Sequence, residues 1–210
     1  MKKLYSFILL ILFAIASNGQ DRIQSSRNIT IKFPLSSLFG DFYAESMGIG
    51  LGLEKMIKPS LSFSQEISYI FHINNNSILT ENVESINGVK FTTEIRKYLS
   101  KKEIPESGWF VNLELKNIFT QSTQVIGMNL ENNITRYRGV FTANFGTLVY
   151  WDRNKKGRVT LEILGGGGLG YINANSSVDI ENLTNKSDYN SANKFYPWLN
   201  FDIKIGYILK

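Results

Sequence analysis

The chain has no cysteine, a single histidine (His72) and four prolines in 210 residues. Without cysteine there can be no disulfide and no thiolate metal site, so an exported form must be stabilised by its sheet and its surroundings. One histidine leaves any imidazole-dependent hydrolysis or metal centre only His72 to work with. Ser77 lies five residues on, and no His-x-Ser spacing or nearby aspartate completes a nucleophilic set. No catalytic residue, no cofactor and no metal is therefore expected. Long apolar runs are also missing, apart from residues 4–16, which follow Lys2 and Lys3 and precede Ser17-Asn18-Gly19-Gln20. A charged start, a short apolar run and small residues before a cut make a secretory signal peptide over 1–19. The run is shorter than the roughly 20 residues a helical span needs. Cleavage after Gly19 leaves 20–210 as one domain.

An excess of one charge sign is absent as well. The 23 basic and 18 acidic residues give +5, which falls to +3 once Lys2 and Lys3 are removed, leaving 21 against 18. The two signs are interleaved instead of clustered, so no nucleic-acid surface is expected. What is present is 43% hydrophobic and 13% aromatic residues, ample for a single β domain.

The organising stretch is 88–121. Val89, Phe91, Thr93, Ile95 and Leu99 alternate with Lys90, Thr92, Glu94, Arg96 and Tyr98, the period of two that a strand requires. After the polar turn 101–107, Trp109, Val111, Leu113, Leu115 and Phe119 stand against Phe110, Asn112, Glu114 and Lys116. The same alternation recurs at 29–35, 47–54, 61–73, 134–151, 158–172 and 201–209, giving eight strands. The short turns 57–60, 101–107 and 152–157 alternate along the chain with the mostly longer connections 39–46, 74–87, 122–133 and 173–194. Short turns on one side and longer loops on the other characterise outer-membrane barrels. The fold expected is thus all-β, an eight-stranded antiparallel up-and-down transmembrane β-barrel. Its termini lie with the short turns, and Trp109, Trp151 and Tyr207 near that rim. Phe71, Phe119, Tyr137 and Tyr171 fall near the long-loop rim.

On that assignment the inner face carries Lys32, Lys90, Arg96, Lys116, Arg138, Arg158 and Lys204 against Glu54, Glu66, Glu94, Glu114, Glu162 and Asp202. Seven positive and six negative charges fit a lumen filled by ion pairs, since an eight-stranded barrel has room inside only for its own side chains and an unpaired buried charge is costly. Glu94, Arg96, Glu114 and Lys116 sit on neighbouring antiparallel strands, where pairing across the strands is expected. The run Gly165-Gly166-Gly167-Gly168-Leu169-Gly170 formally contains a G-x-G-x-x-G. A dinucleotide site needs a helix to start there, and 171–177 has no helical period, so the glycines are read as easing curvature and crowding.

With its signal peptide, the segment Gly88-Val89-Lys90-Phe91-Thr92-Thr93-Glu94-Ile95-Arg96-Lys97-Tyr98-Leu99 with its Glu-x-Arg-x-Tyr core, the following Gly108-Trp109-Phe110-Val111 and the glycine-rich seventh strand, the chain resembles small OmpA/OmpX-like outer-membrane β-barrels of Gram-negative bacteria, and more narrowly a barrel family of unknown function. The resemblance implies an outer-membrane location and a barrel fold, and no activity. The expectation is a non-enzymatic, monomeric barrel in contact with outer-membrane lipid, binding any extracellular protein or glycan ligand through loops 74–87 and 173–194. Two other classes share the alternation: a lipid-modifying outer-membrane barrel enzyme acting through His72, and a secreted soluble β-barrel or sandwich holding a small apolar ligand.

Overall fold

The structure is a computed structural model and describes residues 29–39, 46–58, 60–73, 83–99, 108–126, 130–150, 158–177 and 193–209. The expected signal peptide 1–19, the turns 101–107 and 152–157, and Trp151 lie outside the described residues. The chain forms β1 (Ile29–Pro34), a one-turn helix α1 (Ser36–Phe39), β2 (Ser46–Lys58), β3 (Leu61–Ile73), β4 (Val83–Tyr98), β5 (Gly108–Ile126), β6 (Leu130–Tyr150), β7 (Val159–Ser176) and β8 (Asn193–Leu209). Every strand pairs antiparallel with its sequence neighbours, and β8 returns to pair with β1. One ring-like sheet results.

The register defines the shape of the ring. Paired residues lead from Ile31 through Leu53, Gln65, Thr93, Leu115, Phe141 and Leu169 to Pro197, whereas Ile31 itself pairs with Tyr207. The sheet therefore closes with a ten-residue offset, the distance from Pro197 to Tyr207. With strands about 4.8 Å apart and a rise of about 3.3 Å per residue, that offset sets a strand tilt of about 40° and a backbone radius of about 8 Å.

Side chains alternate between the two faces as the pattern requires. Ser62, Ser64, Glu66 and Ser68 of β3 are buried inside the ring, while Ile67, Tyr69 and Phe71 are exposed outside. Gln65, the one polar residue in that outer row, is exposed as well. At the end where the chain enters β1 and leaves β8, an inward cluster of Tyr98, Phe110, Leu148 and Leu164, flanked by Met56 and Tyr150, fills the interior. Toward the other end, Ile70, Ile86 and Ile118 do the same.

The strand boundaries differ from the sequence expectation at Ile57 and Lys58, which belong to β2 instead of the turn 57–60, and chiefly at the end remote from the termini. Residues 83–87 belong to β4, 122–126 and 130–133 to β5 and β6, 173–176 to β7, and β8 begins at Asn193. In these extensions the outer face becomes polar, with Asn87, Asn133 and Asn175 exposed. The apolar period disappears, but the ladder continues through Thr123↔Asn133 and Ile126↔Leu130. Polar composition marks a change of surroundings there, not the end of a strand.

The helix α1 is the second departure. With six residues, β1 is the shortest strand, and beyond Pro34↔Lys204 the described pairing with β8 ends in one bond, from the Leu35 amide to the Ile203 carbonyl at 2.8 Å. Pro197 is accommodated in that part of β8, where a missing N–H costs no ladder bond on the β1 side. Immediately after β1 the chain turns inward as α1, and Ser36 donates to Asp202 of β8. Ser37, buried, accepts from Lys90 of β4 at 3.1 Å and lies 3.5 Å from Ser68 of β3.

The glycine run lies wholly within β7. A Cβ at Gly168 would meet the Phe141 carbonyl oxygen at 1.9 Å, and one at Gly166 the Ala143 oxygen at 2.2 Å, whereas at Gly165 the nearest atom is 3.7 Å away. The inward glycines thus permit a close approach of β6 that any side chain blocks. Gly168→Ala is expected to cost about 1–3 kcal/mol through overpacking, and Gly165→Ala to stay within about 0.5 kcal/mol. Urea unfolding midpoints of the two refolded variants check the contrast.

Candidate functional site

Alternation alone carries ionisable residues of all eight strands to the inside of the ring. Lys32, Glu54, Glu66, Lys90, Glu94, Arg96, Glu114, Lys116, Arg138, Glu162, Asp202 and Lys204 are all buried there. Most of their contacts run through Arg96, Lys32 and Lys204, and a second group gathers around Asn200. Arg96 on β4 reaches Glu162 on β7 at 2.8 Å, its own strand's Glu94 at 2.9 Å and Glu54 on β2 at 3.8 Å. Its guanidinium sits 4.1 Å from the ring centroid of Phe110, so one face is covered by an aromatic and the edge is left for carboxylates. Lys32 on β1 bridges Glu54 at 2.7 Å and Glu162 at 2.8 Å. Lys204 on β8 meets Glu66 at 3.1 Å, Asp202 at 3.4 Å, and Glu94 on the diametrically opposite β4.

Neutral donors complete the carboxylates. The Tyr98 hydroxyl donates to Glu54 at 2.8 Å, Ser62 donates to the same group, and Asn112 donates to Glu94 at 3.2 Å. Asn200 donates to Glu114 at 3.3 Å and to Asn144 at 3.0 Å, and accepts from Lys116 at 2.7 Å. Lys116 also pairs with Glu114 at 2.9 Å. The bonds from β4 to β7 and β8, and from β5 to β8, cross the interior. They fill the space that a ring of this radius encloses.

Three corrections to the sequence reading follow. Arg158 is exposed: it precedes β7, and although its carbonyl still accepts from the Ile208 amide, its side chain turns outward to donate to Tyr207 at 3.2 Å. Arg136, two residues from Arg138 and on the same side of β6, is buried inside, so the balance of seven cations to six carboxylates is kept with a different member. The register across β4 and β5 does not set opposite charges face to face: Glu94 stands opposite Glu114 and Arg96 opposite Asn112. Two carboxylates face each other, and their counter-charges come along the strands and from β8. Asn200 was missed because β8 begins eight residues earlier than its apolar pattern indicates. The parity of Arg136 was readable in Thr135-Arg136-Tyr137-Arg138.

The charges are also graded along the ring. Lys90 lies four residues beyond Glu94 on β4, Arg138 is in register with Ile118, and Arg136 with Thr120. These three buried cations mark the half toward α1 and away from the termini. Among the described residues no set of three or more His, Cys, Asp or Glu side chains is arranged to hold a metal. His72 lies on β3 in register with Met47.

The outer surface inverts this polarity. Ile49, Leu51, Leu53, Phe91, Leu113, Phe141, Phe145, Leu169, Leu199 and Phe201 are all exposed. From Trp109 to Phe119 the outer face of β5 spans ten residues, about 33 Å along the strand and about 25 Å along the axis at the tilt above. An arc of rings bounds it on one side: Phe119–Tyr137 at 5.0 Å, Tyr137–Tyr171 at 6.5 Å and Tyr171–Phe195 at 5.1 Å between centroids. Trp109, exposed and stacked on Phe145 at 4.9 Å, stands near the other boundary with Tyr207. Comparison with protein-family models, curated proteins and solved structures gives no match in any of the three.

Arg96→Ala removes the cation shared by Glu54, Glu94 and Glu162. A destabilisation of about 3–5 kcal/mol is expected, against a change within about 0.5 kcal/mol for the exposed Arg158→Ala. Equilibrium unfolding of both variants in urea measures the difference.

Proposed function

We propose that the chain is a non-enzymatic, transmembrane eight-stranded β-barrel of a bacterial outer membrane, monomeric, with a lumen closed by its own side chains. The observation that carries this reading is the inverted polarity of the sheet: ion pairs inside, apolar side chains outside. Monomeric soluble proteins rarely expose contiguous apolar patches beyond a few hundred Å², and this surface is apolar around the whole ring. In a bilayer the same surface is the solvated one, and its height of about 25 Å matches the apolar band of outer-membrane barrels. Closure of the sheet satisfies the backbone groups that lipid cannot. Aromatic side chains at both boundaries fit the two interfaces.

Within this reading the wall is structural. Recognition of an extracellular protein or glycan falls to loops 74–87 and 173–194, of which 83–87, 173–176 and 193–194 serve as strand and 74–82 and 178–192 lie outside the described residues. The OmpA/OmpX-like resemblance belongs to the same proposal. An open pore is disfavoured by the cross-ring bonds of Arg96, Lys116 and Lys204.

In planar bilayers the purified chain is expected to show no steady conductance; porin-sized channels would make the function transport. On gels run in mild detergent, boiled and unboiled samples should migrate differently, because a closed sheet has no edge from which to unravel, and identical mobility would defeat the barrel reading. Phe145→Arg, at mid-belt on β6, is expected to cost about 2–4 kcal/mol and to impair assembly. Phe145→Leu should lose under about 1.5 kcal/mol, mainly its stack on Trp109. Vesicle-refolding yields and unfolding midpoints decide between them.

A further inference from the structure

Beyond the aromatic arc, the outer face of β4–β7 carries a groove of about 420 Å³, lined among others by Asn87, Phe119, Gln121, Thr135, Tyr137 and Asn175. Four of its polar members fall in one register row, Asn87↔Gln121↔Thr135↔Asn175, running across four strands. All four are exposed. The row below it is Val89↔Phe119↔Tyr137↔Asn173. Tyr137 lies flat against the sheet because Gly139 leaves room for it: a Cβ there would meet the hydroxyl at 2.9 Å and the adjacent ring carbon at 3.4 Å. Its hydroxyl donates down the belt to Asn117 at 2.9 Å, and Tyr137 with Phe119 forms the aromatic side of the groove opposite the amides.

We infer that this groove is a binding site for the sugar headgroup of a saccharide-headed lipid whose acyl chains lie along the apolar belt beneath it. The chemistry of the lining selects that class. A pyranose presents an apolar C–H face that suits an aromatic side chain, and a rim of hydroxyls that both donate and accept, which primary amides match because they offer both functions side by side. A phosphate-headed lipid is expected to be met by Lys or Arg. The outer row here has none, and neither does the next row above, Ser85, Thr123 and Asn133. Arg136, the charged residue of the lining, faces inward and donates to Ser122. Continuity with the belt places an amphipathic ligand, instead of a free sugar, in both environments at once.

The inference rests on the membrane reading above, and the test separates the two. The full mature chain is reconstituted into nanodiscs of phosphatidylcholine containing one-tenth monoglucosyl diacylglycerol, and the lipids retained after mild detergent extraction are quantified by mass spectrometry. The glucolipid is expected to be enriched about fivefold over its bulk share, the yield of about one net hydrogen bond. In the Gln121→Leu/Asn175→Leu variant enrichment should fall to the bulk ratio. Boiling-dependent gel mobility verifies that the variant is folded, and Thr135→Val offers a milder second lesion with a partial loss. Enrichment absent in the wild type, or unchanged in the folded variants, overturns the site. A chain that does not enter nanodiscs at all overturns the membrane reading, and the site with it.

Discussion

The guanidinium of Arg96 is the point on which the interior depends. It joins carboxylates of β2, β4 and β7 under the cover of Phe110, so strands distant in sequence are held at one spacing by a single planar cation. Lys204 makes the second tie, between β8 and β3 and β4. Buried charges of this kind are costly to bring out of water, and the attraction between them repays that cost only when the geometry is good and the remaining lone pairs are satisfied. Here Tyr98 and Ser62 bond to Glu54, Asn112 to Glu94 and Asn200 to one oxygen of Glu114. A ring of about 8 Å radius leaves no bulk water to take that role.

The same narrowness explains α1. Because β1 stops after six residues, the wall between β8 and β2 loses its middle strand above Pro34, and the chain turns inward at that point. Ser36 and Ser37 then bond to three different strands, β8, β3 and β4. A short strand and an inward turn are thus one device: the chain that leaves the wall becomes packing for the interior. Gly50 of β2 fits beside it, since a Cβ there would meet Pro34 at 2.8 Å and the Ser68 hydroxyl at 2.2 Å.

Under the proposed membrane reading, the molecule is layered along its axis by solvent. The outer face changes from apolar to aromatic to uncharged polar over a few residues of β5, from Leu115 through Phe119 to Gln121, while its inner face continues as Lys116, Ile118, Thr120 and Ser122 without regard to that boundary. The two faces answer to different environments, and this is why a polar stretch such as 122–133 was misread as loop. The outer signal faded with its surroundings, and the inner one had always been polar.

How much was legible follows from the period of two. Alternation fixes to which side each residue points once a strand exists, so the inward set from Lys32 to Lys204 and the outward rings could be assigned from residue order alone. Leu61–Ile73 was bounded correctly because Pro59 interrupts the strands at one end, although Ile57 and Lys58, read as turn, belong to β2. Register could not be assigned that way. Whether Glu94 faces Glu114 or Lys116 depends on a shift of two residues, which leaves every side chain on its own face and so leaves the pattern unchanged. Nor could the outward turn of Arg158 be read, since its parity is inward and only the end of the ladder frees it. Residue order determined the faces of the sheet. Which charges meet across the interior, and where β1 gives way to α1, was decided by closure of the ring, because contacts between strands four apart exist only once β8 has found β1.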